Sequence, residues 1–270
     1  MTDSEPTTII RKPKKTYTIK TYEELRKFFK AFNDGYLNFV IVKSRGGLGK
    51  TWHAEKMIDT RNSLWVNGHA TPLSVYMKLA EQPSRTIFDD IDTLMANKTI
   101  VSLLKQICDT KEEKTVRYYS TAKVNGWEIP PEIKTTTKVL LICNKLNSGD
   151  ENMEALLTRA LVVDFEPTNF EVYAEIMKVY KERVVLDYVK QLLPIAQDLN
   201  FRVVKVALEM LKAKLDWQGY VRTELNVDEK INSALTMTLD EYTKSVGSRS
   251  DYYKHRQKFK VLNGGEPDGV

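Results

Sequence analysis

The chain has 270 residues, 42% of them hydrophobic and 29% charged, which suits one large globular domain or two small ones. No apolar stretch approaches the ~20 residues that span a bilayer, and the first twenty residues are polar and basic, so neither a membrane span nor a secretory signal is expected. Two cysteines (Cys108, Cys143) and three scattered histidines (His53, His69, His255) exclude a disulfide framework and show no metal-ligand spacing; a reducing, cytoplasmic setting is expected. The net charge of +5 is concentrated. Arg11, Lys12, Lys14, Lys15 and Lys20 share one stretch without an acid. Lys244, Arg249, Lys254, Arg256, Lys258 and Lys260 share another with Asp251 alone, interleaved by Tyr252, Tyr253 and Phe259. Such runs are commonly solvated faces, and phosphate-backbone binding is the sharper alternative.

Residues 1–18, rich in Thr, Pro and Lys, are expected to be a flexible basic tail. Tyr22, Leu25, Phe28, Phe29 and Phe32 then fall on one helical face. The apolar run 37–42 reads as a strand. It leads directly into Ser44-Arg45-Gly46-Gly47-Leu48-Gly49-Lys50-Thr51, with a helix expected over 51–60. A strand, a glycine-rich loop and a Gly-Lys-Thr helix start describe a cradle for a nucleoside triphosphate. The glycines let backbone N–H groups turn onto phosphate oxygens, and the helix start points its positive dipole end at them. Lys50 would reach the β- and γ-phosphates, and the Thr51 hydroxyl would ligate Mg²⁺. Ser44 stands where the pattern has its first glycine, a mild departure.

Strands and helices go on alternating: strand 63–66, helix 72–82 with Pro72 in its first turn, strand 85–88, helix 97–109, strand 138–143, helix 150–160, strand 161–165. This order predicts an α/β fold with a parallel sheet covered on both faces. Asp89 and Asp90 end the strand 85–88. Asp89 would hold Mg²⁺, and Asp90 would polarise the attacking water, one methylene shorter than the commoner Glu. The plainer alternative is a capping turn with Asp92. Asn144 ends the strand 138–143, where a polar tip faces the ligand crevice of a parallel sheet. From Pro167 the pattern turns helical, with helices over 170–181, 184–193 and 201–215, an unclear segment to 224, and a mostly helical amphipathic stretch over 227–260.

In order, these features are a P-loop, an Asp-Asp strand, a strand-tip Asn, Arg159 at a helix end, and a helical domain in which Arg202 opens a helix in Asn200-Phe201-Arg202. That order resembles AAA+ ATPases over residues 37–215. The resemblance implies an AAA+ core with a parallel sheet between helices, followed by a small helical lid. It implies a sensor role for Asn144, an arginine finger in Arg159 reaching the neighbouring subunit's nucleotide, and a second sensor in Arg202. Asn67 to Pro72, Phe88-Asp89-Asp90-Ile91-Asp92 and Leu103-Leu104-Lys105 are similar to AAA+ proteins of phages and mobile elements. The expected organisation is a tail (1–18), an α/β nucleotide domain (19–166), a lid (167–216), a basic helical extension (217–262) and a disordered tail (263–270).

Between the Asp-Asp and Asn144 strands lies a segment with Lys123, an Asn125-Gly126 turn signal and Trp127, ahead of Pro130 and Pro131. A hairpin or loop offering Lys123 and Trp127 beside the ring axis would suit nucleic acid, combining charge with stacking; packing of Trp127 under the prolines is equally open. The expected function is an oligomeric ring or spiral ATPase using ATP and Mg²⁺ on DNA, as a replication helicase or translocase of a phage or mobile element, with other replication proteins as possible partners. The alternatives are an ATP-switched loader, initiator or transposition adaptor and, less favoured, a protein-remodelling unit. Remodelling units usually carry an aromatic pore loop, whereas Asn67-Gly68-His69-Ala70 has no aromatic.

Overall fold

The computed structural model describes residues 16–68, 70–90, 97–121, 123–124, 127–146 and 151–262. Most of the expected tails, together with His69, Asp92 and the Asn125-Gly126 turn, lie outside the described residues. The chain packs as two compact units. One comprises 23–45 and 50–166 with the segment through Ile19; the other comprises 20–22, 46–49 and 167 onward.

The first unit opens with Tyr17–Ile19 (β1) and a helix over Tyr22–Asn33 (α1), whose Leu25, Phe29 and Phe32 form a buried stripe. Phe39–Lys43 (β2), Lys50–Met57 (α2), Ser63–Asn67 (β3), Pro72–Ala80 (α3), Arg85–Asp89 (β4) and Lys98–Ile107 (α4) follow. Thr71 and Asn97 cap α3 and α4 by accepting backbone N–H groups, which sets where those helices start. An insert of short strands comes next: Lys114–Arg117 (β5), Lys123–Val124 (β6), Trp127–Glu128 (β7) and Glu132–Thr135 (β8). β5 pairs with β8 and β6 with β7, both antiparallel. Lys138–Cys143 (β9), Glu151–Leu157 (α5) and Leu161–Phe165 (β10) complete the unit.

Six strands form one sheet in the order β1-β10-β2-β9-β4-β3, and every pairing in it is parallel. Its central strands are near-continuous apolar runs, Phe39 to Val42 and Val139 to Cys143 all being buried, as a sheet covered on both faces requires. Because β2, β9 and β4 are neighbours, the residues just past their C-terminal ends emerge along one edge. The register ties them: the Ser44 N–H donates to Cys143 O at 3.3 Å and the Asp90 N–H to Ile142 O at 3.1 Å.

In the second unit, helices run over Asn169–Val179 (α6), Arg183–Leu192 (α7), Phe201–Lys212 (α8) and Trp217–Glu224 (α9). The unclear segment before 224 is thus α9, which packs on α7 and α8. The basic extension divides into three helices, Glu229–Thr236 (α10), Leu239–Ser245 (α11) and Arg249–Leu262 (α12). The breaks have local causes: Asp228 caps α10, and Thr238 forms a capping box with Glu241 at the start of α11. These three helices share a small core of Ala234, Tyr242 and Tyr252.

Candidate functional site

The loop after β2 turns through two left-handed glycines, Gly47 (φ +77°) and Gly49 (φ +74°), before α2 begins at Lys50. Such angles favour glycine and turn successive N–H groups inward. Gly47 also has a neighbour that forbids a side chain. A Cβ there would lie 2.9 Å from Asn200 Oδ1, while the Phe201 N–H donates to Gly47 O at 2.9 Å. Leu48 is buried, and its carbonyl accepts from the Tyr22 hydroxyl at 3.0 Å.

Lys50 is 6% exposed. Its Nζ lies 2.9 Å from Ser44 O, 2.8 Å from Ser44 Oγ, 3.2 Å from Arg45 O and 3.1 Å from Asn144 Oδ1. The next residue, Thr51, donates its hydroxyl to Asp89 Oδ2 at 2.8 Å. The first two residues of α2 therefore reach the tips of β9 and β4. Asp90 follows Asp89 with φ +56°, a left-handed backbone that Asp tolerates better than longer side chains, and it is exposed. That conformation offers a physical reason for Asp at this place, where a Glu would be strained.

Two contacts, one by Ser44 and one by Asn200, were not anticipated from the sequence. Ser44 is more than a tolerated glycine substitute, since its hydroxyl accepts from Lys50; the motif itself gives no sign of this. Asn200 both caps α8, accepting from the N–H groups of Arg202 and Val203, and occupies the space over Gly47. The only hint in the sequence is its place two residues before Arg202.

Arg159 is exposed in the turn after α5, with its guanidinium donating to Ala155 O at 2.9 Å. It stands just before β10, so it belongs to the sheet edge opposite the P-loop and does not join Lys50 within the chain. Arg202 is the exposed second residue of α8. Lys123 is exposed and directly opposite Glu128 in the β6–β7 ladder; Trp127 pairs with Val124 and is described for its backbone alone.

The donor set fits a magnesium nucleotide. Mg²⁺ takes oxygen ligands and commonly uses one or two protein groups besides phosphates and waters. The Thr51 hydroxyl and Asp89 carboxylate supply two adjacent oxygens, and among the described residues no cluster of three or more His, Cys, Asp or Glu side chains offers a closed metal cage. The left-handed glycines and the lysine beside them make the matching anion cradle.

No family model matches the sequence. An uncharacterized 36.7 kDa protein from the nrdC-mobD intergenic region of enterobacteria phage T4 is 26% identical over 177 residues. The match covers 54% of this chain and 53% of that protein, so the chain spans about half the length of this curated relative. Among solved structures, AMPPCP-bound DnaA from Aquifex aeolicus is similar at 13% identity and a TM-score of 0.46, over 88% of this chain and 77% of that one. Drosophila ORC bound to DNA is similar at 13% identity and a TM-score of 0.38, over 98% and 84%. The Bacillus subtilis DNA clamp loader delta protein is similar at 13% identity and a TM-score of 0.34, over 90% and 72%. Among the described residues no helix is long and apolar enough to cross a membrane. The P-loop stands at the C-terminal edge of a six-stranded parallel sheet and a helical unit follows it in the chain, the α/β architecture expected from the sequence.

Proposed function

We propose that the protein hydrolyses ATP at this loop and uses the cycle to act on DNA as an oligomer. One observation carries the nucleotide half of this reading: Lys50 and Thr51, at the start of α2, meet Asn144 and Asp89 at the tips of two adjacent strands. A turn that held glycines by chance has no reason to converge with those two polar tips.

Thr51 and Asp89 are the residues to hold Mg²⁺, which when bound supplies charge neutralisation on the phosphate oxygens. Lys50 exchanges Ser44 and Asn144 for the β- and γ-phosphates of the substrate. Asn144, released from Lys50, orients the attacking water, and Asp90 accepts its proton. Arg159 acts in a neighbouring subunit's site, which its place at the opposite sheet edge allows, and Arg202 couples the helical unit to the γ-phosphate. Lys123 and Trp127, on the β6–β7 hairpin, contact nucleic acid.

The motor reading, a replication helicase or translocase of a phage or mobile element, is the one preferred here. A switch that assembles on DNA with ATP and releases on hydrolysis is the second reading, favoured by Asp90 and its shorter reach. ATP turnover measured with and without DNA, beside a mass measurement in ATP, tests both halves. DNA-stimulated turnover by an assembled species supports the proposal. A monomer that neither binds nor turns over ATP contradicts it. Strand displacement on a forked duplex separates motor from switch.

A further inference from the structure

The helices α10, α11 and α12 pack around a core of their own, Ala234, Tyr242 and Tyr252. α11 and α12 are joined by three residues, Val246, Gly247 and Ser248. The Val246 and Gly247 N–H groups both donate to Tyr242 O, at 2.8 and 3.1 Å, which closes α11. Ser248 opens α12: its Oγ accepts from the Asp251 N–H at 3.1 Å, and its own N–H and hydroxyl donate to Asp251 Oδ2 at 3.1 and 2.7 Å. A Cβ at Gly247 would lie 3.3 Å from Asp251 Oδ2 and 3.4 Å from the Tyr242 ring, so a side chain would crowd the turn. Two helices joined by a three-residue turn containing glycine match the connection of a helix-turn-helix.

α10 completes the unit and sets how α12 is rotated. The Tyr252 ring is buried against Tyr242 with centroids 5.3 Å apart. Arg256 Nη1 donates to Ala234 O in the last turn of α10 and to the Tyr252 hydroxyl, both at 3.1 Å. Tyr252 thus points inward, with the Arg256 guanidinium lying across the edge of that contact. Arg249, Ser250, Tyr253 and Lys254 are all exposed, Tyr253 at 53%. Their spacing, i, i+1, i+4 and i+5, keeps them on one side of the helix. Arginine, serine and lysine are residue types that reach base edges and phosphates in a groove.

The charge is segregated in the same sense. α12 holds Arg249, Lys254, Arg256, Lys258 and Lys260 against Asp251, whereas in α10 and α11 the acids Glu229, Asp240 and Glu241 outnumber Lys230 and Lys244. By contrast, the ladder sets Lys123 opposite Glu128. We propose that α10–α12 is a duplex-DNA-binding helix-turn-helix in which α12 enters the major groove through Arg249, Ser250, Tyr253 and Lys254. The proposal rests on the reading of the protein as a DNA-acting ATPase, and it assigns the duplex contact to a part of the chain outside the nucleotide site.

The test is anisotropy of a labelled duplex and of its single strand, titrated across a range of salt with the full chain, the double variant Arg249→Ala/Lys254→Ala, and Lys123→Ala. Both α12 side chains are exposed, so the double variant should melt like the parent and keep its DNA-free ATP turnover. The expected result is weaker duplex binding, about tenfold or more at moderate salt, with the slope of log affinity against log salt reduced by about two. Parent-like duplex binding by the double variant, with loss only in Lys123→Ala, overturns the proposal and leaves the DNA reading intact. A parent that binds neither nucleic acid overturns both. Preference for the single strand, lost in the double variant, overturns the major-groove assignment. Polyglutamate binding as tight as duplex binding, and lost in the same variant, reassigns the face to an acidic protein and also overturns it.

Discussion

Lys50 and Lys114 are both buried, 6% and 1% exposed, at opposite ends of the same central strands. Lys50 sits at the C-terminal edge, where its partners are a loop hydroxyl, loop carbonyls and the exposed strand tip Asn144. Lys114 sits at the N-terminal edge. Its Nζ donates to Asn38 Oδ1 at 2.8 Å, just before β2, and to Thr137 O at 2.7 Å, just before β9. Thr137 in turn shares a 2.9 Å hydroxyl contact with Thr86 in β4, so this lysine fastens the base of the β5–β8 insert to the sheet. Desolvation, aided by Lys138 nearby, lowers the Lys114 pKa to about 8. A buried lysine with a displaced pKa is a common mark of a functional site, yet here it belongs to the structural end. The difference lies in the surroundings: left-handed glycines, a helix start and polar strand tips converge on Lys50 alone.

The comparison would break first at Arg159, which shares the N-terminal edge with Lys114 but is exposed. If it serves a neighbouring site, Arg159→Ala should bind ATP normally and lose turnover by about 10³-fold or more. Mixing it with Asp90→Asn subunits should restore part of the rate, because some interfaces then pair an intact finger with an intact carboxylate. Absence of rescue in co-assembled mixtures would make Arg159 structural like Lys114. At the C-terminal edge, Asp90→Asn keeps a residue that tolerates φ +56° but cannot accept a proton, so turnover should fall by about 10²–10⁴-fold with nucleotide binding retained. Turnover that survives this change, and is lost in Asp89→Asn, would exchange the two carboxylate roles.

Smaller effects sharpen the contrast. Ser44→Gly removes one acceptor of Lys50 without touching the carbonyls, and should lower the KM for ATP by about 2- to 10-fold, the worth of one hydrogen bond. An unchanged KM would show that the hydroxyl does not hold the resting lysine. For Lys114, the folded pKa lies below the unfolded value, so between about pH 8 and 10.5 the unfolded chain binds more protons. The parent should therefore gain stability relative to Lys114→Met as pH rises through that window, by at most about 1.4 kcal/mol per pH unit. Parallel stability curves for the two proteins would contradict the desolvated lysine.

Much of the first unit was legible because its elements announce themselves locally. The central strands are apolar runs, the P-loop has its own chemistry, and Thr71 and Asn97 mark helix starts. β1 was not legible: its three residues lie in a basic segment and become a strand only by pairing with β10. The outer pair, β5 and β8, alternates too briefly to show a period and arises from pairing between segments about fifteen residues apart, whereas the Asn125-Gly126 signal pointed to the inner pair, β6 and β7. The breaks between α10, α11 and α12 are written in Asp228, Thr238 and Ser248, but a continuous amphipathic pattern obscures them. Within the site, residue types were readable and contacts were not. Nothing in the sequence sets Asn144 against Lys50, Asn200 over Gly47, or Asp90 in a left-handed backbone, since each depends on packing between distant segments.

The most direct measurement places the two lysines side by side: ATP turnover and thermal melting of Lys50→Met and Lys114→Met against the parent. The account predicts that Lys50→Met melts like a folded protein and has no measurable turnover. It predicts that Lys114→Met changes the melt but turns over ATP at the parent rate per folded molecule. Parent-like turnover in Lys50→Met, or its loss in a fully folded Lys114→Met, would contradict the assignment of chemistry to the C-terminal edge of the sheet.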